Sequence, residues 1–297
     1  MAQTTDAARR ADVEDFCRRY PDWDTDGPTL QSGENGEACH APKFLRWLGR
    51  GRSNDAALVA LGSQRWVLRL PGIADHSVCR HRELHFHTLA AACDIAPKIA
   101  YADPDRGVLV TEYAQALPEH AISIEQRADL FQRIHALPVH GEALNLHTAF
   151  DGYICGGKLP RGLSQVLAAH RSTLRRLIDE VQSAADLVVC HNDLLTANCL
   201  QTKQGLLAVD WEYSQVGNPF FDLAVSTSEL NADQAGALLR HYLGRFPSGD
   251  EIRQLEQCSL LYSALSHCWF ASHEGLETGR AELDTLCTRF DSMAISP

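Results

Sequence analysis

The chain has no long hydrophobic run, and its cysteines form no paired motif. No stretch reaches the roughly 18 consecutive apolar residues that a membrane-spanning helix needs, so we expect no membrane span. The ten cysteines include no C-x-x-C pair and lie within apolar or helical stretches, which predicts reduced thiols in the core. The first residues, MAQTTDAARRADVEDF, also lack a hydrophobic signal region. We therefore expect a cytoplasmic protein.

Positive charge is scarce as well. The sequence has 27 lysines and arginines against 38 aspartates and glutamates, a formal net charge of -11. This balance argues against a protein that binds nucleic acid through phosphate contacts, and against docking on anionic membranes. It is compatible with a small cationic substrate. Nothing in the sequence fixes the oligomeric state.

Repeats, low-complexity tracts and a P-loop are also missing. Without G-x-x-x-x-G-K-[ST], the P-loop way of binding ATP is excluded. With 297 residues, of which 45% are hydrophobic, the chain is long enough for one large domain or two lobes with a sizeable core.

The hydrophobic pattern changes near residue 114. Before it, the sequence predicts helices at 6–20 and 76–93. It also predicts five strands, at 44–48, 56–61, 66–70, 98–102 and 107–112. After it, the pattern is mainly helical, with capping boxes at Ser123 and Asn231 and helices at 163–184, 231–246, 250–273 and 278–292. We therefore expect an α+β protein with two lobes, residues 1–114 and 115–297, a hinge near 112–117 and a cleft between the lobes.

Two segments, VVCHNDLLTANCL and LLAVDWEY, carry the most informative residues. They set His191, Asp193, Asn198 and Asp210 in the order H-x-D-x-x-x-x-N…D. Phosphoryl transfer needs a carboxylate beside the attacking hydroxyl and hard oxygen ligands for Mg²⁺. The pattern predicts Asp193 as the base, with Asn198 and Asp210 holding metal. A hairpin that turns at residues 203–205 would bring the two metal ligands together.

The first third of the chain contains a second candidate set. Gly49 and Gly51 in LGRGRSN would let the backbone approach a phosphate, although glycines in a hairpin turn are often only a turn. Arg69 lies on the third strand and Glu83 in the following helix, which is the kinase arrangement of a strand cation with a helix carboxylate. The alternative is an ordinary surface ion pair, which contributes little.

The helix around Glu83 also carries His81 and His85 at i, i+4. That spacing could bind a transition metal, but no third ligand is evident. We interpret them as solvated histidines on a helix face.

With these residues in place, the chain resembles the aminoglycoside phosphotransferase/choline kinase superfamily, and most closely bacterial choline/ethanolamine kinases and thiamine kinases. Four segments within residues 48–225 carry the resemblance: LGRGRSN, VLRLPG with the Glu83 helix, HNDLLTAN and VDWEYSQVGNPFFDLA. It implies a bilobal protein-kinase-like fold, in which an antiparallel β N-lobe with one helix binds nucleotide and a mainly helical C-lobe carries the catalytic and substrate sites. It also implies that Asp222 braces the catalytic loop.

The resemblance implies ATP and Mg²⁺ as cofactors and gives individual residues their roles. Asp193 resembles the catalytic base, and Asn198 and Asp210 resemble the Mg²⁺ ligands. Arg69 resembles the residue that contacts the ATP phosphates, and Glu83 orients it.

The remaining nucleotide contacts follow from the same resemblance. Ser53 and Asn54 resemble the tip of the nucleotide loop, next to Gly51. Glu112 and Tyr113 fall in the segment that would meet adenine through its backbone groups.

Recognition of a cationic substrate calls for aromatic faces, because cation–π attraction survives where hydrogen bonding is impossible. Trp211 and Glu212 follow the second metal ligand directly, and Trp269 lies in the late helix that closes the pocket in choline kinases. The alternative is that these aromatic residues belong to the core.

The sequence therefore predicts a kinase of a small cationic alcohol, with choline or ethanolamine as the first choice. A thiamine kinase and an aminoglycoside-type phosphotransferase are the near alternatives. A nucleotide-binding pseudokinase that acts as a regulator is the alternative from another class. The intact Asp193, Asn198 and Asp210 argue against that last reading.

Overall fold

The computed structural model describes residues 6–20, 41–50, 54–72, 78–117, 122–183 and 186–295. Its contacts divide the chain into two units, Met1–Pro118 with Leu200–Glu212, and Glu119–Cys199 with Tyr213–Pro297. This division differs from the single boundary expected at residue 114, because residues 200–212 return to the first unit. Backbone hydrogen bonds hold them there, since the N–H of Ala208 donates to the carbonyl of Ile95 over 2.8 Å.

The first unit is built on a five-stranded antiparallel sheet. Its strand order is β1-β2-β3-β5-β4. The elements are α1 (Asp6–Arg19), β1 (Lys43–Arg50), β2 (Asn54–Leu61), β3 (Gln64–Pro71), α2 (Arg80–Ala92), β4 (Ile99–Asp103) and β5 (Val108–Glu112). These bounds confirm the five predicted strands and both predicted helices. Gly62 adopts a φ of +59° in the turn between β2 and β3, a conformation that glycine reaches without strain.

Helix α1 covers one face of this sheet. Its side chains at Val13, Phe16 and Cys17 follow the i, i+3, i+4 spacing of one helix face and are buried. They pack on alternate residues of three strands, Ala57, Val59, Trp66, Leu68, Leu70, Val108 and Val110. Full burial of an aliphatic or aromatic side chain contributes about 1.5–3 kcal/mol, so α1 is an integral part of the unit.

The second unit is mainly helical. Its elements are α3 (Ile124–His135), α4 (Leu146–Cys155), α5 (Arg161–Ala169), α6 (Arg171–Ser183), β6 (Val188–Cys190), β9 (Gln215–Gly217), α7 (Pro219–Thr227), α8 (Ala232–Leu243), α9 (Gly249–Glu274) and α10 (Arg280–Ile295). Strands β6 and β9 pair antiparallel. The hairpin of β7 (Cys199–Thr202) and β8 (Gly205–Ala208) runs from this unit into the first.

Both capping boxes and the β7–β8 hairpin confirm the sequence predictions, whereas other elements differ from them. The single helix predicted at 163–184 is two helices, because the chain leaves helical geometry at His170 (φ -105°, ψ 18°). The helix from Asn231 ends at Leu243, where Gly244 takes a left-handed cap with a φ of +66°. The hydrophobic pattern of the sequence did not predict α4, α7 or β9. None of the described helices combines the length and apolar character needed to cross a membrane.

Candidate functional site

The first unit contains a buried network of two arginines, three carboxylates and an amide. We call it the arginine–carboxylate cluster; its members are Asn54, Arg69, Arg80, Glu83, Asp210 and Glu212. Three regular elements supply the first four, because Asn54 begins β2, Arg69 lies on β3, and Arg80 and Glu83 share the first turn of α2. The last two, Asp210 and Glu212, follow the strand Gly205–Ala208 (β8).

Arg69 and Glu83 form the predicted strand–helix pair. Arg69 Nη1 is ion-paired with Glu83 Oε1 and lies 3.3 Å from Asp210 Oδ1. The side chains of Arg69 and Glu83 are only 11% and 2% exposed, so this is not a surface ion pair. Burial disfavours both charges, but the carboxylates outweigh it and raise the pKa of Arg69. The two arginines of the cluster likewise outweigh burial and lower the pKa of Glu83.

Arg80 is a member of the cluster that the sequence analysis did not name. Its Nη1 lies 2.8 Å from Glu83 Oε2 and 3.2 Å from Glu212 Oε2, and its Nη2 donates to Asn54 Oδ1 over 3.0 Å. Asn54 Nδ2 in turn donates to Glu212 Oε2 over 2.9 Å. The i, i+3 spacing of Arg80 and Glu83 on a helix was the available signal.

These contacts bear on two predicted roles. The side chain of Asn54 is buried against Arg80 and Glu212 rather than presented at a loop tip. The carboxylate of Glu212 is 3% exposed and paired within the cluster, so it is a structural anion, and we do not assign it to the substrate. Gly51 and Ser53, the other predicted loop contacts, lie outside the described residues.

Asp210 is the most open carboxylate of the cluster, with 36% of its side chain exposed. Its backbone has a φ of +65°, an unusual conformation for a residue with a side chain. Burial and the negative charge of Glu212 raise the pKa of Asp210 to about 7, although Arg69 opposes the shift. A carboxylate in such surroundings suits a divalent cation, because Mg²⁺ prefers hard oxygen ligands and would offset the surplus of negative charge.

Arg69 has a further donor that fits a phosphate. Its Nε is buried, and it has no hydrogen-bond partner among the described residues. A phosphate oxygen can accept from a guanidinium group in this way. The residues present therefore fit both a phosphate group and a metal ion.

The second unit contains the loop His191–Asn198, which we call the catalytic loop. It follows β6 and ends in a 3₁₀ turn, Thr196–Asn198. Asp222 on α7 is fully buried and accepts from the backbone N–H groups of His191 and Asn192, each over 2.8 Å. The bracing role predicted for Asp222 is confirmed. His135 Nε2 lies 3.1 Å from the same carboxylate, a contact that the sequence analysis missed.

Asp193 and Asn198 contact each other across this loop. The amide nitrogen of Asn198 donates to the backbone oxygen of Asp193 and to its Oδ2, both over 2.8 Å. Because both bonds use the nitrogen, the amide oxygen of Asn198 stays available as a metal ligand. Asp193 is partly exposed, as a base that meets substrate must be.

A group of aromatic residues, the aromatic cluster (Tyr153, Tyr213, Trp269 and His273), lies in the same unit. The rings of Trp269 and His273 stack with centroids 4.9 Å apart, and His273 meets Tyr153 edge-on at 6.3 Å. Trp269 Nε1 donates to the hydroxyl of Tyr213 over 3.0 Å. Trp269 keeps part of its surface exposed, so it remains a candidate to meet a cation.

Trp211 was predicted to meet the substrate because it follows Asp210, but it lies elsewhere. Its side chain is fully buried, its Nε1 donates to the carbonyl of Ala208 over 3.1 Å, and its ring packs near His87. Trp211 is therefore a core residue of the first unit, and we correct its assignment to the substrate site. In the same D-W-E-Y segment, it is Tyr213 that contacts Trp269, through its hydroxyl.

Glu112 ends β5 and Tyr113 follows it, at the place where the adenine contact was predicted. The N–H of Glu112 donates to Lys98 and that of Tyr113 to Arg65, over 2.8 and 3.1 Å. Both donors are therefore engaged in the sheet. A hydrogen bond from adenine to the backbone of either residue must use a carbonyl oxygen, and their role stays a prediction.

Three known proteins resemble this chain in sequence or in fold. The Haemophilus influenzae protein LicA is 26% identical over 206 residues, which cover 65% of this chain and 60% of that protein. A choline/ethanolamine kinase family protein from Mesorhizobium loti superimposes with a TM-score of 0.64 at 23% identity, covering 95% of each chain. The structure of LicA in complex with AMP gives a TM-score of 0.71 at 17% identity, covering 96% of this chain and 99% of that one. These similarities confirm the α+β, kinase-like fold.

The model of the phosphotransferase enzyme family matches residues 45–256. The matched region includes the arginine–carboxylate cluster and the catalytic loop, and it ends before Trp269 and His273. Since it covers well over half of the 297 residues, the chain belongs to the phosphotransferase enzyme family, within the superfamily of aminoglycoside phosphotransferases and choline kinases that the motifs predicted.

Proposed function

We propose that this protein is a small-molecule kinase that transfers the γ-phosphoryl group of ATP to the hydroxyl of a cationic alcohol, choline or ethanolamine. Family membership supports the phosphotransferase reaction. The alcohol is suggested by the similarity to LicA and to a choline/ethanolamine kinase family protein. The chain spans 60% of the curated relative's length, so the similarity suggests the alcohol and the chain's own residues must support it.

The observation that carries the proposal is the pair of hydrogen bonds from Asn198 to Asp193. They hold one carboxylate oxygen of Asp193 and turn the amide oxygen of Asn198 away from it. A kinase of this type needs both features, because the carboxylate accepts the proton of the attacking hydroxyl while a neighbouring oxygen ligates metal. Asp193 is the base in this proposal and accepts the proton of the substrate hydroxyl.

The phosphates are held by the arginine–carboxylate cluster in this proposal. Arg69 donates to a phosphate oxygen, and the ion pair with Glu83 holds its guanidinium group in place. Asn198 and Asp210 would hold Mg²⁺, which when bound neutralises charge on the transferring phosphoryl group. Arg80 keeps Glu83 and Glu212 paired, so that Asp210 is the carboxylate left for the metal.

The alcohol is recognised by its positive charge in this proposal. Trp269 offers an aromatic face, and Tyr213 orients its indole through the bond to Nε1. Tyr262 lies near Asp193, whose charge adds to burial in raising the pKa of the tyrosine to about 12. At neutral pH Tyr262 is therefore an uncharged hydroxyl, and Asp193 is the nearby anion that favours a cationic alcohol.

Turnover of ATP across a panel of alcohols tests the proposal. We expect phosphorylation of choline or ethanolamine, and Asp193→Asn should lower kcat roughly 10²–10⁴-fold without loss of nucleotide binding. If the protein prefers thiamine or an aminoglycoside, the proposed reaction stands and the proposed substrate is wrong. Nucleotide binding without turnover on any alcohol would instead favour the pseudokinase alternative and refute the proposal.

A further inference from the structure

The end of the catalytic loop is held by a second network, distinct from the Asp222 brace. Arg127 lies on α3 with its side chain 5% exposed, and a cation so buried needs an anion nearby. Its Nη2 donates to the hydroxyl of Thr196 over 2.7 Å, and its Nη1 donates to Ser226 Oγ over 2.7 Å. Thr196 is the first residue of the 3₁₀ turn that ends at Asn198.

Glu229 completes the network from just beyond α7. One oxygen, Oε2, accepts from both the backbone N–H and the hydroxyl of Thr196, each over 2.7 Å. The same oxygen lies 3.5 Å from Arg127 Nη1, so the buried cation is balanced by one anion. We call Arg127, Thr196 and Glu229 the Thr196 brace.

The two braces hold opposite ends of one loop. Asp222 binds the N–H groups at its start, and the Thr196 brace binds the turn at its end. Helix α3 takes part in both, since Arg127 contacts Thr196 and His135 contacts Asp222. The residues between the two anchored ends include Asp193.

We propose that Arg127, Glu229 and Thr196 are positioning residues that set the placement of Asn198 and, through it, of the Asp193 carboxylate. The inference rests on the proposed function of these two residues. Asn198 is two residues from Thr196 in the same turn, and its N–H donates to Leu195 over 2.9 Å, so a shift of Thr196 carries Asn198 with it. The Asn198 amide would then leave both of its bonds to Asp193.

Thr196→Val and Thr196→Ser make the first test, because Thr196 is exposed and neither change perturbs the core. Val keeps the shape but loses the hydroxyl that joins Arg127 to Glu229, whereas Ser keeps it. We expect Thr196→Val to lower kcat roughly 10- to 100-fold, the range for a catalytic group displaced by about 1 Å. KM for nucleotide and alcohol should change less than about twofold, because substrate contacts stay. Thr196→Ser should recover wild-type kcat.

Thr227→Val is the matched control. Thr227 lies on α7, and its hydroxyl donates to the carbonyl of Ala224 within the same helix. The chemical change is identical, but the bond does not reach the loop. We expect wild-type kcat and KM for this variant.

Amide hydrogen exchange gives a readout that does not depend on turnover. Glu229→Ala removes the acceptor of the Thr196 N–H, so this amide should exchange at least about tenfold faster. The amides of His191 and Asn192, held by Asp222, should keep their wild-type rates.

The results separate this inference from the proposed function. Wild-type kcat in Thr196→Val, or equal losses in the Ser and Val variants, overturns the brace while the kinase assignment stands. Unchanged exchange at Thr196 in Glu229→Ala also overturns it. If the wild-type protein phosphorylates no alcohol, the proposed function fails, and the exchange rates alone decide whether the brace exists.

Discussion

Replacing Asp222 by Asn tests how strongly the catalytic loop depends on one buried carboxylate. The carboxylate is fully buried and accepts three hydrogen bonds, from two backbone N–H groups at 2.8 Å and from His135 at 3.1 Å. Hydrogen bonds to a charged acceptor contribute about 1.5–3 kcal/mol each, and an orphaned buried donor costs about 1–3 kcal/mol. Asn keeps a single acceptor oxygen and turns an NH₂ group towards one of the N–H donors.

We therefore expect Asp222→Asn to lower the free energy of unfolding by about 2–5 kcal/mol, of the roughly 5–15 kcal/mol typical of a folded domain. The melting temperature should fall by roughly 5–15 °C, measured by calorimetry or circular dichroism. Turnover of the fraction that remains folded should fall as well, because the start of the loop loses an anchor.

Asp179→Asn is the control for this measurement. Asp179 also accepts from a histidine, His147, over 2.8 Å, but its side chain is 71% exposed. An exposed pair of this kind contributes about 0–1 kcal/mol, so its melting temperature should move by no more than a few degrees. Equal effects of the two substitutions would refute the reasoning, since burial would then not decide the cost.

Three further outcomes are expected. Asp193→Asn removes the proton acceptor but keeps the shape, so kcat should fall roughly 10²–10⁴-fold while calorimetry shows nucleotide binding retained; near-normal turnover contradicts the assignment. Asp210→Ala should abolish Mg²⁺-dependent activity. In titrations of the wild-type ATP complex, the apparent affinity for Mg²⁺ should rise as the pH increases through about 7, because a proton competes with the metal below the raised pKa of Asp210. Trp269→Leu should raise KM for the cationic alcohol a few-fold to about thirtyfold, from a lost attraction of roughly 0.5–2 kcal/mol, whereas Trp211→Leu should reduce stability and leave KM alone.

The paired residues that the sequence predicted share one property. Each of these residues has a side chain suited to its role, and each lies in a helix, strand or loop that the hydrophobic pattern or the motif predicts. Arg69 could be assigned to a strand and Glu83 to the next helix, so their contact followed from the family arrangement and is confirmed. Asp222 and the catalytic loop behave in the same way.

The side chains after Asp210 show where such reasoning stops. Trp211, Glu212 and Tyr213 are consecutive, so the sequence does not say which of them meets the core. The positive φ of Asp210 redirects the chain at this point, and a hydrophobicity pattern contains no sign of it. Trp211 consequently enters the core of the first unit, while Tyr213 reaches Trp269.

The sequence also contained no sign of polar contacts between residues that are far apart in the chain. Arg80 and Glu212 are 132 residues apart, and Arg127 and Thr196 are 69 apart. From the sequence alone, an arginine on a helix is predicted to be exposed to solvent. A buried arginine needs a carboxylate partner, and only the tertiary structure shows which one it is.

The charges of the arginine–carboxylate cluster connect these contacts to the proposed reaction. Its three carboxylates face two guanidinium groups, and the arginines bond mainly to Glu83 and Glu212. The uncompensated negative charge falls on Asp210, whose pKa is raised by burial and by Glu212. A carboxylate in this condition takes up a proton more readily than usual, and in the proposed function a divalent cation would compete with that proton. Arg80 pairs with two of the three carboxylates and leaves Asp210 as the one that we propose as the metal ligand, which gives a role to a residue that the motif did not include.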